Sequence, residues 1–372
     1  MSLADAIRAR ALELGFDRVG FTSAEPLAGR VFLASWLDLG YAGGMEYLKR
    51  HLDRRGDPAL QVPGARTVIC LAAGYTPALP SSGDPGRGRI SAYALGPDYH
   101  LWLVERLRLL WGFIAAEAGR SVHGRWYVDT GPVLERELAV RAGLGWRGKN
   151  TCLIDQRQGS YAFLGEILTD LELPGDAPGI DRCGTCTRCL EACPTQALVA
   201  PYLLDARRCI AYLTVELKGA VPRELREGMG AWIFGCDLCQ EVCPWNRRSA
   251  SRETGSTEER AAAQPSLVEL LELDRKAFKA RFGHTPVERT RRRGLLRSVA
   301  VALGNAGDRR AVPALVQALL DEEPLVRGHA AWALGRLGGD QARQALAQAL
   351  DHESDPAVAE ELGLALADAS RD

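Results

Sequence analysis

The chain has 372 residues, of which 47% are hydrophobic and 25% are charged, and its formal net charge is −1. This length fits two or three domains, and this composition excludes a largely disordered protein. No apolar run approaches the ~18 residues that a membrane-spanning helix needs. The N-terminal residues also lack the apolar core of a secretory signal. We therefore expect a cytoplasmic protein without a membrane partner.

Helical and strand-like patterns alternate over residues 1–175. Apolar residues recur at helical spacing in three segments: 4–14, 100–119 and 133–142. Strand-like runs occupy five further segments: 18–21, 67–73, 126–128, 151–154 and 161–164. Such alternation favours an α/β or α+β domain in which helices cover a sheet. The glycine fingerprint of dinucleotide-binding domains does not follow the first strand.

Asp129 stands at the end of the predicted strand 126–128. Burial beside apolar walls favours the acid form of a carboxyl group, which could then donate a proton. The alternative is a structural role, as a turn residue or as the N-cap of the helix predicted from Val133. The residues alone leave both interpretations open.

Eight of the ten cysteines fall between Cys183 and Cys243. The first run has the spacing C-x2-C-x2-C-x3-C-P, which is the bacterial ferredoxin pattern, and the second run again ends in C-P. In that pattern the fourth cysteine of each run binds the other cluster. The prediction is therefore two [4Fe-4S] clusters, one bound by Cys183, Cys186, Cys189 and Cys243 and the other by Cys193, Cys209, Cys236 and Cys239.

Structural zinc is the alternative metal for these thiols, but paired zinc knuckles do not explain three cysteines at x2, x2 spacing before C-P. The other two cysteines, Cys70 and Cys152, lie in apolar strand-like runs. We interpret them as small buried hydrophobic residues.

The C-terminal part has a different organisation. Residues 246–266 are polar and lack apolar periodicity, so we predict a linker there. Beyond it, an Ala-Leu-Gly sequence recurs at 302–304 and 333–335, a period of 31 residues that predicts stacked helical repeats over 267–372. Residues 275–310 hold 11 Arg and Lys against 2 acidic residues. This charge favours either a polyanion-binding surface or a solvated helix face.

Seven stretches carry a more specific signal: VDTGP (128–132), RAGLGW (141–146), GKNT (148–151), GSYAFLGEILTD (159–170), LDARRCIAYLT (204–214), ELKG (216–219) and RGHAAWALG (327–335). Together with the cysteine runs, they resemble the epoxyqueuosine reductase family, cobalamin-dependent iron–sulfur enzymes of queuosine biosynthesis. The resemblance implies a nitroreductase-like cobalamin-binding domain over 1–175 and a ferredoxin-like module over 176–245. It also implies HEAT-like repeats that bind tRNA over 267–372.

The implied substrate is tRNA with a GUN anticodon (the Tyr, His, Asp and Asn tRNAs) that carries epoxyqueuosine at the wobble position. An external low-potential donor would supply electrons through the clusters to cob(II)alamin, and Asp129 would protonate the departing oxygen. We expect a monomer. The implied cobalamin contacts are Arg55, Ser91, Asp129, Leu153, Leu164, Ala211, Cys236 and Asp237. The implied tRNA contacts are Lys218, Arg291, Arg292, Arg293 and Arg297.

Two departures from the family pattern affect single contacts: Ala211 stands where Ser is common, and Ser298 follows Arg297 where Asn is common. Two other functions stay open. Another corrinoid reductase, similar to reductive dehalogenases, would share the cofactors but usually carries an export signal. A non-catalytic ferredoxin-type electron carrier would leave Asp129 and residues 1–175 without a role.

Overall fold

The fold is described from a computed structural model over residues 2–77, 83–247 and 264–370. Most of the predicted linker 246–266 lies outside these residues. Within the described part of the chain, no helix combines the length and the apolar content of a membrane span.

The α-helices of the described residues are α1 (Leu3–Glu13), α2 (Gly29–Asp38), α3 (Leu52–Gly56), α4 (Tyr99–Glu117), α5 (Glu135–Arg141), α6 (Arg188–Glu191), α7 (Arg223–Arg226), α8 (Leu238–Glu241), α9 (Leu267–Leu271), α10 (Arg275–Phe282), α11 (Arg291–Ala306), α12 (Val312–Ala318), α13 (Pro324–Leu337), α14 (Asp340–His352) and α15 (Pro356–Ala369). The strands are β1 (Arg18–Ser23), β2 (Thr67–Gly74), β3 (Arg89–Ile90), β4 (Gly124–Tyr127), β5 (Trp146–Arg147), β6 (Leu153–Ile154), β7 (Ala162–Thr169), β8 (Leu198–Ala200), β9 (Leu203–Leu204) and β10 (Trp232–Phe234).

Contacts between Cα atoms divide the chain into two compact units. Unit 1 comprises Met1–Pro77, Asp98–Arg207 and Leu238–Glu253. Unit 2 comprises Ala78–Pro97, Arg208–Asp237 and Thr254–Asp372. Each unit is assembled from three separate segments, which a linear division of the sequence does not describe. The domain boundaries at 175, 245 and 266 stay a prediction.

Unit 1 is built around an antiparallel sheet with the strand order β1-β2-β7-β4. On one face, Gly165 of β7 lies so close to α4 that an added Cβ would be 3.2 Å from the Leu107 side chain. Side chains alternate along a strand, so Leu164 and Leu168 face the other side, where they join a core that includes Leu138 of α5. Helices cover both faces, which confirms the prediction of a helix-covered sheet.

Two element boundaries differ from the prediction, and both bear on Asp129. Strand β4 ends at Tyr127, and α5 begins at Glu135. Leu134 is the N-cap of α5 and makes no side-chain capping hydrogen bond. The N-cap interpretation of Asp129 is therefore wrong. Asp129 lies in the loop between these elements, at a φ of 55°.

Unit 2 contains the helical repeats, in which α13 packs against both α11 and α15. A Cβ added to Gly304 of α11 would lie 2.7 Å from the Trp332 ring, and one added to Gly335 of α13 would lie 2.8 Å from the Ala365 backbone. Only glycine permits backbones to approach this closely. The two glycines of the 31-residue period therefore lie where α13 is contacted by α11 and where it contacts α15.

Candidate active site and cluster ligands

The first turn of α4 holds the Asp129 side chain. The Tyr99 hydroxyl donates to Asp129 Oδ2 at 2.7 Å, and His100 Nε2 lies 3.4 Å from the same oxygen. Asp98 caps α4 by accepting the His100 backbone N–H at 3.0 Å, and its Oδ1 lies 2.6 Å from His100 Nδ1. The Asp129 side chain is 44% exposed. A carboxyl group that is oriented in this way and open on one side is suited to proton transfer.

Two further carboxyl groups respond to the charge of Asp129. Glu166 on β7 is fully buried, and neither of its carboxyl oxygens has a hydrogen-bond partner. Burial, followed by the charges of Glu135 and Asp129, raises the pKa of Glu166 well above its usual value. Burial and the Asp129 charge raise the pKa of Glu135 to about 7, although Arg136 and a hydrogen bond from the Asp129 backbone oppose the shift. The charge of Asp129 thus favours the acid forms of Glu135 and Glu166.

Glu166→Gln should make the stability of the protein less dependent on pH. In wild type, the folded chain holds the Glu166 proton above the ordinary pKa of 4.5, so stability falls as pH rises from there toward the raised pKa. One such group changes the free energy of unfolding by about 1.4 kcal/mol per pH unit in that window. We expect the Tm of the variant, relative to wild type, to rise by a few degrees between pH 5.5 and 7.5 in anaerobic thermal melts.

The matched control is Glu172→Gln, because Glu172 is exposed and pairs with Arg66 at the surface. Its Tm difference from wild type should be the same at both pH values. A Glu166→Gln difference that also stays constant would show that this carboxyl is ionised in the folded protein.

The thiols predicted to bind the first cluster lie together in unit 1. Cys183 and Cys243 pack into one apolar cluster with Trp146. Burial, followed by the charges of Cys243 and Cys183, raises the pKa of Cys189 to about 11. Burial also raises the pKa of Cys243, and the charges of Cys183 and Cys186 add to the effect. These four thiols, all within the described residues, share one locality without converging on a single metal ion. Their chemistry and grouping fit an iron–sulfur cluster.

The thiols of the second predicted set belong to different units: Cys193 and Cys239 to unit 1, Cys209 and Cys236 to unit 2. Cys193 Sγ accepts the backbone N–H of Ala197 at 3.2 Å, a type of bond that tunes the potential of a cluster. The assignment of these four thiols to one cluster stays a prediction.

In unit 1, three predicted cobalamin contacts supply apolar and polar surface. Leu153 is buried in the core beside α5, and Leu164 packs against the same core. Arg55 donates to the Tyr47 carbonyl at 3.3 Å, while its Nε is buried without a hydrogen-bond partner. Burial lowers the pKa of Arg55. An unpartnered guanidinium nitrogen and an apolar wall fit a large ligand with polar side groups.

In unit 2, Ser91 and Asp237 form a buried pair. The Ser91 hydroxyl donates to Asp237 Oδ1 at 2.6 Å, and the Ala92 backbone N–H donates to Oδ2 at 2.7 Å. These two hydrogen bonds fix Asp237, the residue directly after Cys236, against the segment Ser91–Ala92. Ala211 directly precedes a π-helical turn at Tyr212–Glu216, a type of turn that is frequent at functional sites.

Four cations of unit 2 line a cavity of about 250 Å³: Lys218, Arg289, Arg291 and Arg293. The other residues that line this cavity are Leu217, Thr290 and Gly294, so no acidic side chain of the described residues lines it. We call it the basic cavity. It brings together three of the five residues predicted to contact tRNA and adds Arg289.

The structure corrects the prediction for Arg297, whose side chain is fully buried. Its guanidinium donates to the carbonyls of Leu213, Leu217 and Gly219, and burial lowers its pKa to about 10. Arg292 is corrected in the same way, because its side chain is only 14% exposed and pairs with Asp321 through two hydrogen bonds. Both arginines stabilise the fold and are not available to a phosphate.

Sequence reasoning missed Tyr99, His100, Glu135 and Glu166 as neighbours of Asp129. Tyr99 and His100 precede it by about 30 residues. No local spacing links them to it, and only the packing of α4 brings them to the loop after β4. The α-helical position of Arg297, among the apolar residues of α11, could have indicated its burial.

Comparison with known proteins adds independent information on most of the chain. Residues 182–246 match the family described as 4Fe-4S double cluster binding domain. Residues 55–130 match Epoxyqueuosine reductase QueG, DUF1730, and residues 291–367 match HEAT repeats. An epoxyqueuosine reductase from Xanthomonas campestris pv. campestris is 44% identical over 341 residues, which cover 89% of this chain and 95% of that protein.

Two solved structures are similar over nearly the full length. A crystal structure of epoxyqueuosine reductase with a tRNA-Tyr epoxyqueuosine-modified stem loop has a TM-score of 0.92 and 33% identity, covering 99% of both chains. Epoxyqueuosine reductase from Bacillus subtilis, solved with an aspartate-bearing catalytic loop swung out of the active site, has a TM-score of 0.91 and 33% identity. That match covers 98% of both chains.

Proposed function

Because the chain belongs to the epoxyqueuosine reductase family, we propose that it reduces the epoxide of epoxyqueuosine in tRNA and thereby forms queuosine. The observation that carries the proposal is the full-length similarity to a reductase solved with its modified tRNA stem loop. The expected tRNAs are those with a GUN anticodon, and the expected compartment is the cytoplasm, where tRNA is found.

Asp129 is the proposed proton donor to the departing oxygen. Its loop lies between β4 and α5, its carboxyl is partly exposed, and Tyr99 fixes one oxygen. The Bacillus subtilis reductase also has a catalytic loop that is named for an aspartate. Protonation makes the leaving group a hydroxyl and not an alkoxide, which lowers the barrier to C–O cleavage.

The eight thiols and the predicted corrinoid contacts would provide the electrons. Cys183, Cys186, Cys189 and Cys243 would hold one [4Fe-4S] cluster, and Cys193, Cys209, Cys236 and Cys239 would hold the other. Arg55, Leu153, Leu164, Ser91, Ala211, Cys236 and Asp237 would contact cobalamin in a nitroreductase-like domain. When bound, these groups supply single electrons at low potential and a strongly reducing cobalt centre. A low-potential protein outside this chain would reload the clusters, and the reductase is expected to be a monomer.

The basic cavity is the proposed contact to the phosphate backbone of tRNA. Lys218, Arg291 and Arg293 can donate to phosphate oxygens there, and Arg289 is a fourth cation. Such contacts position the nucleic acid without reading its sequence. Base recognition therefore has to come from other residues.

Arg291→Ala combined with Arg293→Ala should weaken binding of the tRNA stem loop by about tenfold or more. Each lost phosphate contact should also reduce the slope of log K against log salt by about 1. Fluorescence anisotropy between 50 and 300 mM salt measures both quantities.

The control is Arg310→Ala, because this arginine is 84% exposed but pairs with Asp308 outside the cavity. It should leave affinity and slope unchanged. If the double variant binds as wild type does, the basic cavity is not part of the tRNA surface.

The proposed activity is tested by mass analysis of wobble nucleosides. tRNA bearing epoxyqueuosine is incubated anaerobically with the reduced, cobalamin-loaded protein. Conversion of epoxyqueuosine to queuosine is expected, with a mass loss of one oxygen. An unchanged nucleoside, when the protein holds both clusters and cobalamin, would contradict the proposal.

A further inference from the structure

The proposed reaction requires more protons than Asp129 carries. When the epoxide oxygen leaves as water, two C–O bonds break, two O–H bonds form, and the two electrons from the clusters and the corrinoid become a carbon–carbon π bond. One proton enters with each O–H bond, so two are consumed. A single carboxyl that faces the substrate has to be reprotonated before the second C–O bond breaks. This argument rests on the proposed function.

His100 has the geometry to reprotonate Asp129. Its Nε2 lies 3.4 Å from Asp129 Oδ2, and its Nδ1 lies 2.6 Å from Asp98 Oδ1. Asp98 is the N-cap of α4, so the start of the helix fixes both members of the pair. With Nδ1 held by a carboxylate, the other ring nitrogen is directed at Asp129.

Among these three side chains, the central His100 is the least exposed. The Asp129 side chain is 44% exposed and the His100 side chain 16%, while Asp98 behind it is 26% exposed. The imidazole therefore lies between a carboxyl that faces the substrate and one that water can reach. A proton can pass from the imidazole to Asp129 Oδ2 across this 3.4 Å contact.

Tyr99 cannot replace His100 in this role. Its hydroxyl donates to the same Asp129 oxygen. Its ring stacks on Phe163 with centroids 4.4 Å apart and contacts the His100 ring in a tilted arrangement at 4.1 Å. A phenol ordinarily stays protonated until about pH 10, whereas an imidazole gains and loses a proton near neutral pH. Tyr99 thus keeps the carboxyl and the imidazole in place.

We propose that the Asp98–His100 pair is a proton relay that reprotonates Asp129 between the two C–O cleavages of each turnover. Other titratable or charged groups that interact with Asp129 include Glu135 and Arg136 of α5 and Glu166 of β7. The charge of Asp129 favours the acid forms of Glu135 and Glu166, and Arg136 is the cation among the three. His100 acts through Asp129 and is a positioning and relay residue.

His100→Gln tests the relay, because the amide keeps a hydrogen-bonding group but cannot carry a proton. We expect kcat on the epoxyqueuosine stem loop to fall at least tenfold, with KM and iron content unchanged. The pH dependence of kcat should change in the variant, because a titratable imidazole beside Asp129 is removed while Glu135 stays. Asp98→Asn keeps the helix cap and should reduce kcat by a smaller factor.

Two further variants distinguish a relay role of His100 from a purely structural one. His100→Ala should recover activity when free imidazole is added, which a purely structural defect would not do. His123→Gln removes an exposed imidazole of unit 1 and should behave as wild type. If His100→Gln turns over within twofold of wild type with the same pH profile, or imidazole restores nothing to His100→Ala, the relay is wrong. A wild-type protein that never forms queuosine refutes the proposed function instead.

Discussion

We expect Asp129→Asn to lower turnover by about 100-fold or more and to leave the cluster and cobalamin content of the protein intact. A positioned general acid contributes about this much, and an amide has no proton to give. Asparagine is the appropriate replacement because Asp129 has a φ of 55°, a left-handed conformation that Asn and Asp adopt more readily than other non-glycine residues. The Tyr99 hydroxyl can still donate to the amide oxygen. Single-turnover conversion of the stem loop, with iron and cobalt analysis of the same sample, measures the effect.

Asp355→Asn is the matched control for that change. Asp355 caps α15 by accepting the backbone N–H groups of Ala357 and Val358. Asparagine caps helices equally well, so turnover should not change. Near-normal turnover in Asp129→Asn would assign the proton to another donor and leave Asp129 with a structural role in its loop.

Cys243→Ala should reduce iron from about eight to about four atoms per chain and abolish turnover. Cys243 is predicted to be the fourth ligand of the first cluster, and it lies with Cys183 beside Trp146. A cubane needs four ligands, and its loss interrupts the path of single electrons. Iron analysis and electron paramagnetic resonance of the anaerobic, dithionite-reduced protein measure the loss.

Cys70→Ala is the control, since Cys70 is a buried residue of β2 and not a predicted ligand. It should retain about eight irons. Zinc in place of iron in the wild-type protein, or a full iron content in Cys243→Ala, would contradict the crossed ligand assignment.

Local cysteine spacing made a candidate set of cluster ligands predictable, whereas no linear pattern indicates the groups that surround Asp129. Short spacings between cysteines fix three thiols of a cluster within one loop, so the sequence itself carries that geometry. The motif VDTGP at 128–132 indicates Asp129 as a candidate site residue. Tyr99 and His100 meet it only because α4 packs beside the loop after β4, and nothing in a linear pattern reports such packing.

The number of charges in a segment predicts which of its arginines are accessible less well than the helical periodicity of its apolar residues does. The charge of segment 275–310 leaves two interpretations open, a polyanion-binding surface and a solvated helix face. Within it, Arg291 and Arg293 line the basic cavity, while Arg292 is paired and Arg297 is buried. Arg297 lies on α11 between the buried residues Leu296 and Ser298. A guanidinium can enter a core when backbone carbonyls take its protons, which no count of charges reveals.

The burial of Arg297 has a consequence for how nucleic acid would bind. Its guanidinium ties α11 to the segment around Lys218 through the carbonyls of Leu217 and Gly219. Lys218 and the arginines at the start of α11 therefore keep their spacing before any ligand arrives. A phosphate group would enter a preorganised receptor, and association would lose little conformational entropy on the protein side.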